Sequence, residues 1–195
     1  ITAVGGILIG AFAAFLHGFA DRIVTAALDL FLSMPALVVA IALIGLLGPD
    51  TGNLIFSLCL THWAEYARVA RSLVQAEREK TYVRYARFAG AGFLGTVFSY
   101  VLPNVVPRLL VLVFQNIGEI LLTVAGLSLI GIGIQPPTPE WGMLLMGSKD
   151  YMQTAPWLLM FPGLAIFITV ILFSLIGDEL RDIFEPRWER KGEKS

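Results

Sequence analysis

The sequence predicts an all-α fold, a polytopic bundle of transmembrane helices forming one domain over residues 1–195 with five spans. Three observations point there. Hydrophobic residues make up 56% of the 195 and charged residues 15%, with a mean hydropathy of +0.75, whereas a soluble domain carries about 25% charged residues. Long windows without a formal charge recur along the chain. Basic residues are sorted onto alternate connections between those windows. The net charge of −1 excludes a chain that attracts nucleic acid by its overall field. The single cysteine, Cys59, lies in an apolar run and excludes an internal disulfide or a cysteine-rich metal site.

A helix needs about 20 apolar residues to cross a hydrocarbon core of roughly 30 Å. Residues 1–20 contain no Asp, Glu, Lys or Arg and form the first span. Its Gly6 and Gly10 make a G-x-x-x-G pair, which lets helix backbones approach closely. A short loop is expected at His17–Thr25. Residues 30–49, between Asp29 and Asp50, form the second span, where Pro35 implies a kink. A Gly-Pro-Asp-Thr-Gly turn at 48–52 leads to the third, from Thr51 to about Val69. The fourth runs from about Asn104 to Ile134, with Glu119 inside it, and the fifth lies within Tyr151 to Gly177, with Pro162 implying a second kink. The chain opens at Ile1 in mid-hydrophobic sequence without a basic leader, so no signal peptide is expected, and a further span is expected to precede it.

Orientation follows from Lys and Arg, which gather on the cytoplasmic side. With five spans, one side holds Arg22, Arg68, Arg71, Arg78, Lys80, Arg84, Arg87, Arg108 and the five basic residues of the tail 178–195. The other side holds only Lys149. Dropping or adding one span scrambles this division. The long segment at about 71–103 is therefore cytoplasmic, and the loop at about 135–155 external. That loop contains "QPPTPEWG", where Pro136, Pro137 and Pro139 stiffen the backbone and oppose a regular helix. Trp141 beside them suits an interface with headgroups or a partner. Pro136, Pro137 and Trp141 are the candidates for an external gate.

In the cytoplasmic segment, Val83, Ala86 and Gly90 fall at i, i+3 and i+7, which gives a narrow face of small side chains suited to docking in a partner's groove. "GAGFLG" at 90–95 fits the dinucleotide pattern G-x-G-x-x-G, but that pattern needs a preceding strand, and here it follows a basic amphipathic stretch. His17 and His62 lie far apart without an H-E-x-x-H arrangement, so hydrolytic zinc chemistry has no support.

The stretch "YVRYARFAGAGFLGTVFSYVLPN" resembles the cytoplasmic loop of binding-protein-dependent ABC permeases, whose motif is E-A-A, three residues, Gly, nine residues, Ile, one residue, Leu-Pro. Ala86, Gly90, Leu102 and Pro103 fall on the motif; Arg84, Tyr85 and Tyr100 depart from it. "LDLFLSMPALVVAIALIGLLG", "AGLSLIGIGIQPPTPEWGMLL" and "FPGLAIFITVILFSLIGDELRDIFEPR" resemble conserved spans of the nickel/dipeptide/oligopeptide permeases, and "THWAEYARVARSLV" is more similar to the nickel branch. The resemblance covers nearly the whole chain, and its members usually have six spans.

The resemblance implies a subunit of a bacterial inner-membrane importer and a cytoplasmic coupling helix. Val83, Ala86, Gly90, Leu102 and Pro103 would belong to the ATPase-coupling loop. Implied partners are membrane lipid, a homologous second permease, two cytoplasmic ATPase subunits that bind ATP and Mg, and an external substrate-binding protein. No cofactor is expected in this chain. An ionisable group at membrane depth usually faces protein or water, so Glu119, with Gln115 and Asn116 one turn before it and His62 in the third span, is the expected translocation path. Oxygen and nitrogen donors of this kind suit transient passage of a divalent cation or its chelate, with Glu119 and His62 as metal-contacting groups. A dipeptide or oligopeptide importer is the alternative, since a peptide ammonium also suits Glu119. A passive channel or an intramembrane enzyme are readings from other classes; the first needs no docking loop, and the second lacks a nucleophile–base pair.

Overall fold

The computed structural model describes residues 1–16 and 18–184; His17 and the end of the tail, with Arg187, Arg190, Lys191 and Lys194, lie outside the described residues. Every regular element among the described residues is helical: α1 (Thr2–Ala13), α2 (Phe19–Ser33), α3 (Ala36–Leu47), α4 (Thr51–Glu79), α5 (Thr81–Phe88), α6 (Phe93–Thr96), a π-helical turn (Val97–Val101), α7 (Leu102–Leu129), α8 (Trp141–Ser148), a 3₁₀ turn (Lys149–Tyr151) and α9 (Trp157–Phe184). The absence of a strand before residues 90–95 removes the dinucleotide pattern for these described residues. By length and apolar composition alone, Phe93–Leu129 and Trp157–Phe184 are able to cross a membrane, and α2 with α3 makes a third such element if the pair is one broken span.

Four boundaries differ from the sequence expectation, each for a physical reason. Residues 19–25 are the start of α2, not loop, because Asp21 and Asp29 are paired with Arg71 and Arg68 of α4 rather than left to water. The second span is interrupted at Met34–Pro35, since proline lacks the donor that would continue the ladder and so begins α3 as its N-cap. α4 continues ten residues beyond the expected end, to Glu79. The external loop is not irregular throughout: residues 135–139 are non-helical, but Glu140 caps α8 by accepting from the Gly142 and Met143 amides at 2.8 and 2.9 Å.

The described chain forms two compact units. The first contains Ile1–Ser33, His62–Val113 and the residues from Asp178. In it, Gly6 and Gly10 turn to α4 so closely that a Cβ at Gly6 would lie 2.5 Å from the Trp63 carbonyl oxygen, and one at Gly10 would overlap the Ala67 backbone. The glycine pair is thus a helix–helix seam. Its core joins Ala14, Ala70, Val74, Val83, Val101 and Val105. The second unit contains Met34–Thr61 and Phe114–Gly177. Its core joins Ala40, Ile44, Leu54, Leu58 and Leu127. There Gly142 seats α8 on α7, since a Cβ would lie 2.7 Å from Ala125 Cα, and Gly118 admits Val170 of α9 at 3.2 Å.

Candidate functional site

The second unit carries Glu119 on α7. Gln115, Glu119 and Thr123 follow one another at intervals of four residues, which aligns them along one face. Glu119 is exposed and lines a groove of about 350 Å³ with Leu37, Leu122, Thr123, Gly126 and Ile130. The Thr123 hydroxyl donates to the Glu119 main-chain carbonyl at 2.9 Å and so leaves the carboxylate alone. Among the described residues that carboxylate has no hydrogen-bond or ion-pair partner. Gln115 is half-buried and held beside α9, where a Cβ on Gly177 would lie 2.8 Å from its Cγ. Asn116 is buried, and its Nδ2 finds no hydrogen-bond partner among the described residues. Thus Glu119 and Thr123 share the groove, whereas Gln115 and Asn116 are not among the residues that line it.

His62 belongs to the first unit, is 5% exposed, and is not a lining residue of the Glu119 groove. Among the described residues no three His, Cys, Asp or Glu side chains gather where they could hold a metal ion. The groove thus places one carboxyl group and one hydroxyl, those of Glu119 and Thr123, among apolar side chains.

At the other expected gate, Gln135 Nε2 donates to the carbonyls of Gly131 and Gly133 at 3.2 and 3.1 Å and fixes the start of the proline stretch, in which the Pro136–Pro137 bond is cis. Trp141 is partly exposed and lines an apolar cavity of about 590 Å³ with Ile117, Leu121, Val124, Pro139 and Leu144. Both oxygens of Glu140 are engaged in capping α8.

In the first unit, α5 occupies the segment expected to couple to a partner, but its orientation corrects one assignment. Val83 is 0% exposed and packed in the unit's own core, so the small face containing Val83 and half-buried Ala86 turns inward. The outward face carries Arg84, Tyr85, Arg87 and Phe88, the last 82% exposed. Gly90 is exposed with φ +92°, and a Cβ there would meet nothing within 4 Å. Its role is to end α5: the Gly90 and Ala91 amides donate to the Arg87 and Ala86 carbonyls at 3.1 and 3.0 Å, an arrangement that glycine's positive φ permits. Leu102 and Pro103 open α7, where the missing proline donor is harmless.

Sequence reasoning passed over Glu77 and Tyr82. Glu77 is buried near the end of α4, and its Oε1 accepts from the Tyr82 hydroxyl of α5. Its Oε2 lies 2.9 Å from Lys80 Nζ in ion-pair contact, without hydrogen-bond geometry. The Tyr82 hydroxyl is pushed up to about 12, first by lost hydration and then by the hydrogen bond and negative charge of Glu77; Arg108 and Asn104 act in the opposite sense. A buried position among charged residues at the end of an otherwise amphipathic helix was the available signal.

Comparison with known proteins meets this geometry at the level of family. Residues 6–190 match the family described as "Binding-protein-dependent transport system inner membrane component". The chain belongs to this family. Among its relatives, the nickel transport system permease protein NikC of Escherichia coli is 38% identical over 181 residues, 93% of this chain and 65% of the relative. The di/tripeptide transport system permease protein DppC of Pseudomonas aeruginosa is 36% identical over 187 residues, 96% of this chain and 62% of the relative. The glutathione transport system permease protein GsiD of Pectobacterium atrosepticum is 35% identical over 182 residues, 93% of this chain and 60% of the relative. The chain thus spans just under two thirds of the length of these relatives. The family is one of inner-membrane transport components, and the apolar helices of this chain are in keeping with it.

Proposed function

We propose that the chain is a permease subunit of a bacterial ATP-driven importer and forms half of its transmembrane path, with nickel or a nickel chelate as cargo. The observation that carries this reading is the unpaired Glu119 carboxylate, inside an apolar membrane-length helix and exposed in a groove. A carboxylate facing lipid there is costly, so the groove faces water or a partner subunit, and the charge meets what passes. The relative named for nickel supports the cargo. The second reading is a di- or tripeptide whose ammonium pairs with Glu119; it is favoured by the lack of a histidine in the groove lining.

In this reading α1, the broken pair α2–α3, α4, α6–α7 and α9 are five spans, with α5 on the cytoplasmic side. Tyr85 and Phe88 are the exposed side chains by which α5 would dock on one of two ATPase subunits, which bind ATP and Mg. A homologous second permease supplies the other half of the path, and the loop with Pro136, Pro137 and Trp141 meets an external substrate-binding protein. His62, Gln115 and Asn116 then support the path from within their own units.

The test is uptake by the assembled transporter in proteoliposomes, with nickel and a dipeptide compared directly. Glu119→Gln keeps size and hydrogen bonding but removes the charge, so uptake falls while assembly persists. Wild-type uptake of both cargoes in Glu119→Gln would return the residue to a structural role. A loss for dipeptide with no nickel transport by the wild type selects the peptide reading.

A further inference from the structure

The joint between α4, α5 and α7 contains a polar connection that the family comparison does not assign. Glu77 is 1% exposed. A carboxylate so buried is strongly unfavourable unless its partners stay in place. Those partners, the Tyr82 hydroxyl and Lys80 Nζ, come from α5 and the residue that begins it. If α5 moved away from α4, Glu77 would lose the Tyr82 hydroxyl, whereas Lys80, three residues on and directly after α4, stays within its reach. The buried carboxylate thus ties α5 to α4 through Tyr82.

On the other side of α5 the contacts are softer. Val83 packs with Val101 and Val105 by apolar contact, which has no preferred direction. The Tyr82 hydroxyl lies 3.5 Å from the Tyr100 carbonyl, the outer limit of a hydrogen bond. Tyr100 itself is in the π-helical turn Val97–Val101, a wide turn inserted just before α7, and such turns are frequent at functional sites and at kinks. Asn104, one turn further on, caps this feature by donating to the Tyr100 carbonyl at 2.7 Å.

We propose that Glu77 and Tyr82 are positioning residues that lock α5 to the end of α4, so that a push on α5 carries α4 with it and is taken up at the π-helical turn before α7. The idea deepens the proposed function, because the push it describes comes from the ATPase docking assigned there to α5. Tyr82 holds the joint through one oxygen atom, and Glu77 holds it through burial. Val83 fills the space beneath without fixing a direction.

The experiment uses the assembled transporter with Cys59→Ala and paired spin labels at exposed positions. One pair, at Ala76 and Arg87, reads α4 against α5; the other, at Arg87 and Val106, reads α5 against α7. In the otherwise unaltered transporter the first distance stays fixed on trapping with ATP and vanadate, and the second changes. Tyr82→Phe, which keeps the ring, broadens the first distance distribution even without nucleotide, as the detached population rises roughly tenfold for one lost hydrogen bond to a charged group. Glu77→Gln, which keeps an acceptor for Tyr82 but loses the ion pair, gives a smaller broadening, and Tyr85→Phe gives none. An unchanged first distribution in Tyr82→Phe overturns the lock, whatever ATP does to the second pair. So does an ATP-driven change in the first distance as large as that in the second. Broadening in Tyr82→Phe with no ATP-driven change in either pair keeps the lock and removes the docking reading.

Discussion

Gly6→Ala is the sharpest test of how the first unit is packed, because the neighbouring Gly5 supplies its own control. A Cβ at position 6 would stand 2.5 Å from the Trp63 carbonyl oxygen and 2.8 Å from Tyr66 Cβ, while one at position 5 meets nothing within 4 Å. The nearest atom is backbone of α4, so no rotamer change relieves the overlap. Ordinary contact begins at 3.4 Å, so α1 must retreat from α4 by about 0.9 Å, and a gap of that size forfeits roughly a quarter to a half of each contact's dispersion energy. Overpacking of this kind costs about 1–3 kcal/mol. At Gly5 only the helix preference remains, which favours Ala by about 0.5–1 kcal/mol. The assay is heat-induced loss of the assembled transporter in detergent, followed by size-exclusion chromatography with fluorescence detection. Gly6→Ala lowers the apparent melting temperature by several degrees, and Gly5→Ala holds or raises it. Equal melting temperatures for the two variants would refute the seam between α1 and α4.

Three further outcomes follow. Glu140→Ala removes the side chain that accepts from the Gly142 and Met143 amides and costs α8 about 1 kcal/mol, read as faster hydrogen exchange at those two amides with little change in α9. A reporter fused after Lys80 is active only in the cytoplasm, and one fused at Ser148 only outside; the reverse pattern would break the five-span arrangement. Tyr82, with its folded value near 12 above the ordinary 10.0, contributes stability in full below pH 10 that disappears as pH rises through 12. Rapid ultraviolet titration of the wild type against Tyr82→Phe therefore shows the missing ionisation near pH 12, and a missing ionisation near pH 10 would contradict the Glu77 contact.

The membrane class and the helical content were legible because charge-free windows and sorted basic residues are properties of single segments. What escaped was long-range pairing. Asp21 fell inside the expected loop and Asp29 bounded the second span, and nothing nearby in the sequence shows that Arg71 and Arg68 will pair with them. The spacing of Val83 and Ala86 put both on the inward side of α5, but Gly90 lies beyond its end at Phe88, and a small aliphatic face fits a neighbour in the same chain as well as a partner's groove. The opposite face, with Tyr85 and Phe88 among arginines, held the better clue to exposure. In the proline stretch the helix-breaking signal was read at 135–139, while Glu140 two residues before Gly142 was not read as the cap that starts a helix again. Glu119 was visible as a charge within a span, yet its isolation depends on which groups fold around it.

The two long apolar elements differ in how they measure the bilayer. Phe93–Leu129 has 37 residues, about 55 Å at the α-helical rise, and its surplus begins with exposed Phe93, Leu94 and Phe98. α9 is charge-free only from Trp157 to Gly177, after which Asp178, Glu179, Arg181 and Asp182 follow. That stretch is about 32 Å long, close to a hydrocarbon core of roughly 30 Å. The longer element is interrupted by Arg108 and Glu119, so its length is not all apolar, whereas the charge-free stretch of α9 matches the hydrocarbon core without surplus. With α9 placed across the bilayer as proposed, lipids with longer acyl chains would draw Trp157 or Asp178, at the two ends of its charge-free stretch, toward hydrocarbon.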